Sequence, residues 1–100
     1  MTISPITDTQ TVAVEELEKE FAKPEWQSAL HARPLRHLHT AKFPPSEAFP
    51  AGGDTLYFEI VDSDSKRIAL VAKNMKPDRS YYDPEIRPQA LLVGDKWLII

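Results

Sequence analysis

The chain contains no cysteine among its 100 residues. That excludes disulfides, thiolate metal centres and cysteine nucleophiles together, and leaves packing as the main source of stability. Only three glycines are present, and none belongs to a phosphate-cradling loop or a nucleophile elbow. No uninterrupted apolar run approaches the roughly 20 residues needed to cross a bilayer, so no membrane span is expected. The opening Met1-Thr-Ile-Ser-Pro-Ile-Thr-Asp8 lacks the basic region and apolar core of a secretory leader, which makes a cytoplasmic location the expectation. Positive charge is not in surplus either: 12 Lys and Arg stand against 15 Asp and Glu, for a net −3. A surface that grips nucleic acid as a whole relies on accumulated Lys and Arg, so nucleic acid is not an expected partner.

A hydrophobic content of 42% over this length suits one core, with no room for a second domain. Residues 1–11 are rich in Ser, Thr and Pro with neither apolar period, and are read as a flexible lead-in before a single domain over 12–100. Ile3 and Ile6 are the residues there that would suit a short edge strand.

From Val12 the period becomes helical, with Val14, Leu17 and Phe21 on one face, Glu15, Glu16, Glu18 and Glu20 elsewhere, and Thr11 as N-cap. Pro24 suits the first turn of a second helix running to about Ala32, with Trp26, Ala29 and Leu30 apolar; the alternative is one helix kinked at Pro24. Leu35 to Phe43 alternates as a strand, and 44–54 is a Pro- and Gly-rich loop. Thr55 to Asp62 and Arg67 to Lys73 make a hairpin around Asp62-Ser-Asp-Ser-Lys66. Asn74 to Gln89, with three prolines, reads as a long stiffened loop. Ala90 to Val93 and Lys96 to Ile100 flank Gly94-Asp95, a type II′ hairpin turn that sets Leu92 opposite Trp97 and Leu91 opposite Leu98. The fold expectation is therefore α+β: one or two N-terminal helices packed on a four- to five-stranded antiparallel sheet built from two hairpins.

His37 and His39, two apart on a strand, would aim both imidazoles to one side, as a metal requires, and either one could instead serve as a base. The plainer reading is two hydrogen-bonded rings on an edge strand, and no third ligand is set by spacing. Arg33, Arg36 and Lys42 lie in a stretch free of acidic residues from Trp26 to Ser46. They form either a patch for phosphate or an acidic partner, or the counterweight to the acidic first helix. Arg79, Tyr81, Tyr82 and Arg87 on the proline-stiffened loop are residue types that make binding hot spots, unless the rings merely cover the sheet. The apolar C-terminal strand would serve as core or, if it lies at the sheet edge, as a homodimer contact.

These residues support a non-catalytic protein–protein interaction module, an accessory subunit or small regulator or inhibitor with a protein partner and no cofactor. The alternatives are a small hydrolase or nucleic-acid-directed enzyme using the His37/His39 segment, and a His-based metal-binding domain.

Overall fold

Pro24 divides the N-terminal apolar stripe in two. In the computed structural model, which describes residues 8–32, 35–83 and 85–100, helix α1 spans Val14–Phe21 and helix α2 spans Pro24–Ala32. Proline has no N–H to continue the α1 ladder, and its fixed φ suits a first helical turn. The chain therefore turns at Ala22 and Lys23, where the Lys23 N–H donates to Glu20 O at 3.1 Å and the Gln27 N–H donates back to Lys23 O at 3.1 Å. Two helices result rather than one kinked helix.

Helix α1 is entered through Ala13, extended and without a side-chain cap, and not through Thr11, whose backbone is held in a strand. Glu15 and Glu16 in the first turn and Lys19 in the last suit the helix dipole. At the junction the Glu20 carboxylate accepts from Trp26 Nε1 at 2.9 Å and pairs with Lys23 Nζ at 2.8 Å. The bond from Lys23 holds the Glu20 carboxyl below the ordinary glutamate range, outweighing the opposing effect of burial.

The strands are β1 (Asp8–Thr11), β2 (Arg36–Phe43), β3 (Gly53–Val61), β4 (Arg67–Met75), β5 (Arg87–Val93) and β6 (Lys96–Ile99). They form one six-stranded sheet in the order β1-β6-β5-β4-β3-β2. Strand β1 runs parallel to β6 and the other pairs are antiparallel. The α+β class holds, with three corrections to the expected sheet.

First, there is a sixth strand. Asp8–Thr11 is exposed along its whole length and carries no apolar alternation, so its backbone pairing with β6 leaves no pattern in the sequence. The residues read as a lead-in thus include a strand from Asp8, while Ile3 and Ile6 lie outside the described residues. Second, the sheet is mixed, and β2 to β6 form a continuous antiparallel ladder in which β4 pairs with β5, rather than two separate hairpins. Third, β6 is flanked on both sides, by β5 and β1. The homodimer contact through the C-terminal strand is conditional on a sheet-edge position, and β6 does not occupy one.

Among the described residues the sheet edges are β1 and β2. Strand β2 carries Arg36, Lys42 and a register shift between His37 and His39, features that discourage pairing with another chain. The β5–β6 turn follows its sequence: Gly94 has φ +66°, and Leu92 opposes Trp97 while Leu91 opposes Leu98.

Ile60, Ala69, Leu91 and Leu98 form one cross-strand row, and Leu17, Phe21 and Trp26 pack onto that face. Burying a side chain such as Leu17 contributes about 1.5–3 kcal/mol. Val14, expected in the stripe, is 50% exposed, and Val12 packs against the cluster instead. The reverse face carries the row Arg36, Glu59, Leu70, Ala90, Ile99 and Thr11. There the Glu59 carboxylate, on a residue only 7% exposed, accepts from Arg67 Nε at 2.9 Å and pairs with Arg67 Nη2 at 2.8 Å and Arg36 Nη1 at 3.6 Å. Burial of a carboxylate is costly unless it is paired in this way. No helix among the described residues is long and apolar enough to cross a membrane.

Candidate functional site

Strand β4 does not end at Lys73, and the segment after it is not a plain loop. Asn74 and Met75 continue the ladder with β3, and the chain then folds back on itself. The Lys76 N–H donates to Ser80 O at 2.7 Å, the Tyr82 N–H donates to Asn74 O at 2.9 Å, and Met75 forms a β-bridge with Tyr81. Arg79, at φ +76°, sits in the tip of this small hairpin. Asp78 accepts from the Ser80 hydroxyl and N–H, bonds that hold its carboxyl below the ordinary aspartate range. Asp83 then fastens the returning chain: its Oδ2 accepts from the Asn74 N–H at 2.8 Å and pairs with Arg87 Nε at 3.3 Å. Arg87 and Pro88, both placed in the loop by the sequence, begin β5, with Pro88 opposite Val71. The proline is tolerated there because a register shift follows it.

This return path raises a wall opposite the helices, and a cleft of about 470 Å³ lies between them. Phe21 and Leu30 from the helices, Phe58 from β3, and Ile86 and Pro88 from the wall supply its apolar lining. Glu18, Gln27 and His31 bring polar groups from the helices, and Lys73, Tyr81 and Glu85 bring them from the opposite side. Gln27 Nε2 donates to Phe21 O at 2.6 Å, which orients it by the helix junction. Lys73 Nζ lies 4.1 Å from the centre of the Tyr81 ring, a cation–π contact that holds both at the rim. Tyr81 remains 49% exposed. A second hollow, lined by Glu18, Asp83, Glu85, Ile86 and Arg87, adjoins the cleft. An apolar floor with a few polar groups at its margin is the usual make-up of a binding site.

The residues singled out from the sequence part company here. Tyr81 lines the cleft and Arg87 the adjoining hollow. Tyr82 turns away, its hydroxyl donating to Gly52 O at 2.7 Å and its ring lying against Phe43 and Phe49. Its role is to anchor the wall. Arg36 is committed to Glu59, and no ion pair joins α1 to the basic segment among the described residues. Arg33 lies outside the described residues.

His37 and His39 do not share a face. The register shift at Leu38 sets His37 opposite Phe58 and His39 opposite Tyr57, adjacent residues whose side chains point to opposite sides of β3. The rings follow suit, His37 edge-on to Phe58 and His39 stacked on Tyr57, while His37 Nε2 is 2.8 Å from Thr40 Oγ1. Among the described residues no three His, Asp or Glu side chains are grouped to hold a metal ion.

Sequence reasoning missed Lys73, Glu18, His31 and Phe58 as site residues, because the cleft draws single residues from distant elements that share no motif. The chain matches no protein-family model, and no curated protein or solved structure is significantly similar to it.

Proposed function

We propose that the protein is a non-catalytic interaction module, an accessory subunit or small regulator, that takes a segment of a partner protein into the cleft between its helices and the Tyr81 wall. The observation that carries this reading is the composition of the cleft: an apolar floor large enough for one or two bulky side chains, rimmed by an exposed Tyr81 and unlike charges. A central apolar pocket with a polar margin is the anatomy of a protein–protein hot spot. Tyr81 supports it further, because a large ring held in place by Lys73 loses little freedom when it is covered.

The test is affinity capture from cells that make the protein, comparing wild type with a Tyr81→Ala, Leu30→Ser variant of verified fold. The expected result is a protein partner retained by wild type and lost by the variant. A partner retained equally by both places the interaction elsewhere and overturns the reading.

A further inference from the structure

Resting on the cleft reading above, we infer that the occupant is a peptide segment presenting a bulky apolar side chain with a Lys or Arg beside it. The apolar requirement comes from the floor, where Phe21, Leu30, Phe58 and Ile86 offer no hydrogen-bonding side-chain group. The cationic requirement comes from the rim. Glu18 and Glu85 border both the cleft and the adjoining hollow, and neither is in an ion pair with a described Lys or Arg.

The other Asp, Lys and Arg side chains that line the cleft and the hollow have partners within the fold. Asp83, the third carboxylate of the hollow, is held by Asn74 and Arg87, so Arg87 is drawn toward Asp83. Lys73, the cleft's own ammonium, lies over the Tyr81 ring. Glu15 and Glu16, exposed on the turn of α1 before Glu18, add negative charge to that helix that Lys19 only partly offsets. A cation arriving beside the apolar anchor meets two carboxylates without displacing an existing partner, whereas an acidic flank would face them unpaired. The same negative charge attracts a cationic segment from a distance, and salt weakens that attraction.

The experiment selects random dodecapeptides displayed on phage against the whole chain, then measures affinities of the synthesised winners at low and high salt. Their binding is compared across wild type, a Glu18→Gln, Glu85→Gln variant, and Tyr81→Ala. Winners should pair Leu, Phe or Trp with Lys or Arg within a few positions. They should bind the double Gln variant roughly three- to tenfold more weakly with a flatter salt dependence, as expected for two exposed rim pairs. They should also be weakened by Tyr81→Ala. Winners that lack a basic bias yet still need Tyr81 overturn the cationic occupant and leave the cleft reading standing. No enrichment at all, or winners indifferent to every variant, overturns both.

Discussion

Asp83 holds the wall of the cleft to the sheet through the backbone of Asn74, its Oδ2 accepting from that N–H at 2.8 Å. The contact closes the fold-back that brings Tyr81 over Lys73, so a structural bond and the shape of the site are one feature. Replacing Asp83 with Ala leaves the Asn74 N–H without its acceptor, on a residue only 4% exposed, and should cost about 1–3 kcal/mol in urea unfolding. Amide exchange at Tyr82 should quicken in the same variant, since its N–H bond to Asn74 O belongs to the same fold-back. Exchange unchanged from wild type would show that the wall stands without Asp83.

The two arginines on Glu59 should differ sharply in their contributions. Arg67 makes the short contacts and Arg36 the long one at 3.6 Å. Arg67→Met should therefore cost about 2–3 kcal/mol, because it strips a buried carboxylate of its close charged donor. Arg36→Met should cost less than about 1 kcal/mol, as exposed long pairs do. Equal costs in chemical denaturation would contradict this division.

Gly53 and Gly94 both occupy positive-φ backbone, yet only one is also enclosed. A Cβ on Gly53, at φ +147°, would lie 2.1 Å from Met75 O, whereas one on Gly94 meets nothing within 4 Å. Gly94→Ala should cost only the strain of its turn, about 1–2 kcal/mol. Gly53→Ala must in addition push β4 away from β3 and should cost more than about 3 kcal/mol or prevent folding. Thermal melts of the two variants side by side check the order.

These elements also show why part of the molecule was legible in its sequence and part was not. The helices announced themselves through Leu17, Phe21 and Pro24, and the last hairpin through Gly94-Asp95, because each signal is local and repeats with a fixed period. Strand β1 had no such signal, since Asp8–Thr11 is held by the backbone of a strand from the far end of the chain. The faces of His37 and His39 were misjudged for a related reason. Alternation predicts a face only while the register is unbroken, and one extra residue at Leu38 inverts it. The cleft was the least legible feature, its residues running from Glu18 to Pro88 without a shared spacing; Tyr81 was found by type alone.

Glu20 predicts a pH dependence of definite sign. Its carboxyl is lowered in the folded chain, chiefly by the bond from Lys23, so the unfolded chain binds more protons through the acid range. The stabilisation is present above the ordinary glutamate range and is lost as pH falls through the lowered folded value. Glu20→Gln keeps an acceptor for Trp26 while removing the charge. It should lower the Tm by about 1–3 °C at neutral pH, and the gap should close as pH falls through that lowered folded value. A gap that persists in acid would assign the effect to packing.

The most direct test of the cleft as the working surface is photo-cross-linking in cells that make the protein, with a benzophenone amino acid placed at Tyr81 or, separately, at Tyr57. These positions belong to opposite sides of the sheet: Tyr81 borders the cleft, and Tyr57 stacks on His39 across the reverse face. The account predicts one discrete protein adduct from position 81 and none from position 57. An adduct from 57 alone would contradict it and move the partner to the helix-free face.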